Sequence, residues 1–194
     1  MARSHPGTER AGGAPTPAIA ALAGLAWGLA EATFFFVVPD VLLTAIALRS
    51  TRAALAATVA AVAGAGLGGA AMVLFARADP ALAQAAVDGV PFIPTRLFDD
   101  AAALSAQHGG LGILVGAFQG LPYKLFAVQA PEVQSLAAFV GWTLPGRAAR
   151  FLLVVALAAA VARWLGRRWP RGVVVAWAVA WAAVYAVYWS QMSR

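Results

Sequence analysis

A chain of 194 residues that is 62% hydrophobic and only 11% charged carries more apolar surface than a soluble domain of its size can hide, because small domains leave much of their chain exposed. Its mean hydropathy of +0.77 makes lipid the solvent and excludes a soluble enzyme. The absence of cysteine excludes disulfides, thiolate metal sites and a cysteine nucleophile, and in a lipid-embedded chain the +6 charge reports topology rather than nucleic-acid binding.

Residues 1–17 are rich in Gly, Pro and charge without apolar periodicity, which predicts a disordered tail. They do not make a signal peptide, since the apolar stretch that follows is too long and contains Glu31. That stretch, 18–48, is interrupted by Glu31 and by Pro39-Asp40. Residues 53–76 then have spanning length, set by ~20 residues for ~30 Å of hydrocarbon. Gly64, Gly66, Gly68 and Gly69 within them match the small-residue packing of membrane helices.

A more polar connector occupies 79–108. Thr95 is placed to cap a helix running to Gln107, with Gly109 as its stop. Leu97, Ala101 and Leu104 share one face and Asp99 and Asp100 the other, which suits either a helix on the membrane surface or a packed connector. A second broken stretch, 109–130, is interrupted by Gly120, Pro122, Tyr123 and Lys124. Spans follow at 136–162 and 172–190, joined by the basic loop 163–171. In the last span Trp177, Trp181, Tyr185, Tyr188 and Trp189 recur at steps of three and four, so they share a helical face, for packing or interfacial anchoring.

Freed backbone groups need partners that lipid cannot supply. Each broken stretch is therefore expected to be a re-entrant hairpin, with Pro39 and Pro122 at the tips. The basic loop has four arginines in nine positions and is expected in the cytoplasm. Counting back, the two hairpins enter from opposite faces, each followed by a full span. The predicted fold is thus an all-α, multi-pass integral membrane protein: an inverted repeat of hairpin plus transmembrane helix, with an extra C-terminal helix. Pro39 and Pro122 stand 83 residues apart. Inverted repeats with broken helices put a substrate site near the bilayer midplane.

The strongest chemical signal is Gly146-Arg147-Ala148-Ala149-Arg150-Phe151. The two arginines sit mid-span at i, i+3 and share one face. Each costs ~2.5–3.5 kcal/mol or more in the bilayer unless it pairs or reaches water. Glu31 and Asp40 are candidate proton-coupling or gating groups, or static partners of the arginines. Lys124, the only lysine, follows Tyr123 at the second tip and is free to meet a phosphate, pair with Asp40 or snorkel outward. Gln119 precedes the same tip.

These residues, in this order, resemble the DedA superfamily (the SNARE-associated or VTT domain), most closely its small YqaA-like branch. Pro122-Tyr123-Lys124 and Gly146-Arg147-x-x-Arg150-Phe151 look like that branch's PYK and GRxxRF pattern, and Glu31 with Pro39-Asp40 is similar to the family's acidic, proline-containing first hairpin. The likeness covers roughly residues 20–165. Gln119-Gly120 stands where Thr-Pro is expected, and Ala130-Pro131-Glu132 replaces an Ala-Gly turn. The resemblance implies membrane-lipid handling: flipping or scrambling of a phosphate-bearing lipid such as undecaprenyl phosphate or a phospholipid, coupled to protons or an ion gradient. Arg147, Arg150, Lys124, Tyr123 and Gln119 would then meet the headgroup.

A proton-coupled transporter of a small solute and a non-transporting scaffold remain open alternatives. With only His5 and His108, phosphatase, protease and phosphotransferase chemistries lack their parts, so no catalytic residue, metal or cofactor is expected. The expected partners are membrane lipids, without nucleic acid, and a homo-oligomer is compatible with the sequence. Thirteen arginines to one lysine, with abundant alanine, point to a GC-rich bacterial genome; the expected location is a multi-pass position in the inner (cytoplasmic) membrane of a bacterium.

Overall fold

The computed structural model describes residues 14–91 and 93–192, so the expected disordered tail lies outside the described residues up to position 13. Every regular element among the described residues is an α-helix. Helix α1 (Pro17–Thr33) starts where the Thr16 hydroxyl accepts from the Ile19 amide and proline takes the first helical position, where its missing N–H costs nothing. It runs through Glu31 rather than breaking there. The break falls at 34–39, across the run Phe34-Phe35-Phe36-Val37-Val38, where aromatic and β-branched side chains are poor helix formers and Pro39 disfavours a helical Val38. Helix α2 (Asp40–Ala47) follows.

Helix α3 (Thr51–Ala78), capped by Ser50, extends the expected span by two residues at each end. Its glycines let it approach α1 to backbone contact. A Cβ on Gly24 or Gly28 would collide with the carbonyl of Ala57 or Ala61, and one on Gly64 with the carbonyl of Leu25. The pairings 24 with 57 and 28 with 61 ascend together, so α1 and α3 run parallel, and the chain between them has turned back on itself.

The connector holds two helices where one was expected. Helix α4 (Pro80–Asp88) is capped by Asp79, whose Oδ1 accepts from the Leu82 amide. Helix α5 (Arg96–His108) starts at Thr95, but Thr95 has helical dihedrals and its side chain makes no cap bond. Leu97, Phe98 and Ala101 join a core cluster with Tyr123, Phe126 and Phe139, so α5 is a packed connector. Asp99 and Asp100 face outward as expected.

Helix α6 (Leu111–Gln119) ends at Gly120, whose φ of +81° is left-handed and favours glycine. After Pro122, helix α7 (Tyr123–Val133) begins. The second break is therefore only 120–122, with Tyr123 and Lys124 in the first turn of α7. The helix continues through Pro131, past position 130 where the second broken stretch was expected to end. Helix α8 (Leu136–Leu165) runs parallel to α6. Trp142 lies against Gly110 and Leu114 against Gly146, and Arg150 bonds to Ala117. Leu144 lies against Gly66, whereas Phe151 and Val155 cluster with Ala53, Ala54 and Ala57, so α8 is antiparallel to α3.

Helix α9 (Pro170–Met192) closes the chain. Val175, Val179, Val184 and Val187 on it are all more than half exposed, an apolar surface that water would not tolerate. Helices α3, α8 and α9 are each long and apolar enough to cross a membrane, as a membrane-embedded chain requires.

Candidate functional site

Two acids from the first broken stretch meet two arginines of α8. Glu31 sits in the last turn of α1. Asp40 is the first residue of α2, where the helix N-terminus favours a negative charge. Arg147 and Arg150, one turn apart on α8, face them. Arg147 Nη2 lies 3.2 Å from Glu31 Oε1 and 3.0 Å from Oε2. Only the first contact is an aligned hydrogen bond; Oε2 is buried without an aligned donor. Arg150 grips Asp40 as a fork, Nε to Oδ1 at 3.2 Å and Nη2 to Oδ2 at 3.1 Å. Its Nη1 donates to the Ala117 carbonyl at 2.8 Å, one of the end carbonyls that α6 cannot satisfy itself.

The second broken stretch answers with Tyr123 and Lys124. Lys124 is 2% exposed and its ammonium donates to the Phe35 carbonyl at 2.7 Å, so it bonds to the first tip's backbone rather than to Asp40. Tyr123 lies beneath the Arg147 guanidinium, whose carbon is 4.4 Å from the ring centre, a cation–π distance. The Tyr123 hydroxyl and Thr143 Oγ1 are 2.8 Å apart. Because Thr143 donates to the Phe139 carbonyl, the tyrosine donates to it. Gly69 of α3 leaves the room for that hydroxyl, which a Cβ would strike.

A cavity of about 160 Å³ opens among these groups. Glu31, Lys124, Arg147 and Arg150 line it with Pro122 and Tyr123 from the second tip and Phe36 and Val38 from the first. The charges do not cancel. Glu31 and Asp40 are matched by Arg147 and Arg150; Lys124 has no carboxylate within ion-pair distance among the described residues. All three nitrogens of Arg150 are engaged by protein groups, whereas among the described residues only Nη2 of Arg147 has a partner. The donors left for an anion therefore belong to Arg147 and Lys124, and Arg150 is a staple between the two broken stretches.

Of the other expected site residues, Asp40 lies behind Arg150 rather than on the wall, and Pro39 is buried as the residue preceding α2. Gln119 is exposed. It lines an adjoining recess with Arg96, Asp100 and Gln107, which meets the charged cavity at Gly120, Leu121 and Tyr188.

The sequence also undervalued α9. Trp181, Tyr185 and Tyr188 form one wall of the cavity, and the aromatic face is hydrogen-bonded as well as packed. The Trp177 and Trp181 indoles both donate to Thr44 Oγ1, at 2.9 and 3.1 Å, and Tyr185 Oη accepts from the Val38 amide at 3.0 Å. Their i, i+4, i+8 spacing was the available signal. Thr44→Val removes the acceptor of both indoles while keeping the shape. It is expected to lower stability by about 2 kcal/mol, the scale of buried donors left unpaired, with Thr44→Ser close to wild type. Thermal unfolding in detergent, followed by tryptophan fluorescence, reads the difference.

No family model, curated protein or solved structure matches this chain.

Proposed function

We propose that this protein is a DedA-like lipid transporter that carries a phosphate-bearing headgroup across the membrane through the charged cavity, the lipid tails staying in the hydrocarbon. The observation that carries this reading is an unmatched buried ammonium, Lys124, on the wall of a cavity that also presents unused guanidinium N–H groups of Arg147. A guanidinium fork and an ammonium suit phosphate oxygens. An uncompensated cation in a low-dielectric interior is costly until an anion joins it.

The helix directions support the inverted repeat within this proposal. Helices α1 and α3 are parallel, α6 and α8 are parallel, and α3 and α8 oppose each other. Two doubled-back segments entering from opposite faces, with Pro39 and Pro122 at their ends, account for that pattern, and a cytoplasmic 163–171 loop follows from its arginines. Glu31, with one carboxylate oxygen lacking an aligned donor, is the candidate proton-coupling group, and Asp40 acts through Arg150. The enclosed volume favours one second reading, transport of a small anionic solute, in which substrate drives proton flux and no lipid moves.

The test uses purified protein in liposomes carrying a tail-labelled phospholipid, with translocation read by quenching at the outer leaflet. Glu31→Gln/Arg147→Gln neutralises a pair without stranding a charge. It is expected to cut translocation at least about tenfold, the worth of one charge-assisted hydrogen bond to phosphate. Translocation at the wild-type rate, at equal reconstitution, would overturn the proposal.

A further inference from the structure

We infer that the site selects a headgroup with one net negative charge and a free hydroxyl, that is, a phosphodiester without an amine. The inference rests on the lipid-transport reading and narrows its substrate. Its first support is the charge count. Three cations, Lys124, Arg147 and Arg150, face two acids, Glu31 and Asp40, and all five are on the cavity wall or paired directly with it. One negative charge makes the buried set neutral. A zwitterionic headgroup, whose amine cancels its own phosphate, leaves the excess cation uncompensated. A phosphate monoester, at ≈ −1.5 to −2 near neutral pH, overshoots in the other direction. Either imbalance is paid in a medium that hydrates charge poorly.

The second support is the orphan acceptor. Glu31 Oε2 is buried, belongs to a residue on the wall, and has no aligned hydrogen bond, although Arg147 Nη2 stands within ion-pair reach. A buried acceptor of this kind calls for an O–H or N–H donor. An ammonium would supply one but also restores the +1 excess. A hydroxyl supplies the bond and leaves the balance intact. The phosphate then takes the open donors of Arg147 and Lys124, and the hydroxyl turns toward Glu31.

The experiment reconstitutes the full chain in phosphatidylcholine vesicles with trace lipids that share one fluorescent acyl chain and differ only in headgroup: glycerol phosphodiester, ethanolamine phosphodiester, or bare phosphate monoester. The glycerol lipid is expected to cross at least about tenfold faster than either other lipid, the scale of one misplaced charge in a membrane interior. Lys124→Gln brings the site to net zero and is expected to move the preference to the ethanolamine lipid. A merely structural lysine would lower all three rates together.

Equal wild-type rates for the three lipids overturn the selectivity and leave the transport proposal standing. A folded Lys124→Gln that keeps the glycerol preference overturns the charge count, and if that variant does not fold, the wild-type order alone decides. Absence of any protein-dependent movement overturns the transport proposal instead. The headgroup order is then read from the rise in unfolding temperature with each lipid in detergent, where no larger rise with the glycerol lipid overturns the inference.

Discussion

Arg150→Met is expected to lower the stability of the protein by about 3 kcal/mol, and adding Asp40→Asn is expected to recover most of that loss. The asymmetry follows from burial. Asp40 is 1% exposed and its carboxylate meets two arginine nitrogens, so removing the guanidinium strands a charge that water cannot reach. Breaking a buried pair from one side costs about 3–5 kcal/mol, whereas replacing both partners is often neutral. The lower end applies because the Arg150 side chain retains 19% exposure. A further part of the loss is the Ala117 carbonyl, which forfeits its one side-chain donor among the described residues, and that part Asp40→Asn does not restore. Unfolding of the two single variants and the double variant in detergent gives the coupling directly. Additive losses would show that the fork contributes no mutual stabilisation and that Arg150 does not act as a staple.

The same four groups show what the sequence could and could not reveal. Charged side chains inside apolar stretches stand out because lipid offers them no hydration, so Glu31, Asp40, Arg147 and Arg150 are legible as a group in the sequence. Their pairing is not. Whether Glu31 meets Arg147 or Arg150 depends on the rotation of α8 against α1 and α2, which is set by side-chain fit at Phe151 and Val155 rather than by any one-dimensional spacing. Lys124 was legible as an unusual residue, but its partner is the Phe35 carbonyl, and a backbone acceptor has no signature in the sequence. Gln119 failed for a related reason. It is the last residue of α6, and the rotation of that helix against its neighbours, which no spacing in the sequence fixes, leaves its side chain exposed.

The long spans were legible within a few residues because apolar runs of spanning length and the basic loop mark them out; the N-caps Ser50 and Ser135 emerge only from the structure. The continuation of α7 through Pro131 was not. A proline there removes one amide donor, and the loss is small so near the end of a helix.

A second large effect, this one on helix packing, is expected at Gly28. Taken alone, Gly→Ala in a helix interior stabilises by roughly 0.5–1 kcal/mol through chain entropy. Against that gain stands the Ala61 carbonyl, in the space a Cβ would need, with the next backbone atoms at 2.9 and 3.0 Å. Backbone cannot rotate away as a side-chain tip can, so α1 and α3 must separate, and their whole close interface loses contact, including the neighbouring approach of Gly24 to Ala57. Overpacking of this kind costs about 1–3 kcal/mol, and the cost exceeds the entropic gain. Gly28→Ala is therefore expected to destabilise by about 2 kcal/mol, and Gly28→Leu to prevent a stable α1–α3 pair altogether.

Gly141 supplies the opposite sign. It lies within α8 with open space where a Cβ would stand, so Gly141→Ala keeps only the entropic term and should be neutral or raise stability slightly. Thermal unfolding of the three variants in one detergent separates the two contributions. Equal behaviour of Gly28→Ala and Gly141→Ala would mean that the glycines of α1 do not set the approach of the two helices. Glu31 would then lose the scaffold that holds it against Arg147, since it lies three residues beyond Gly28 on the same helix.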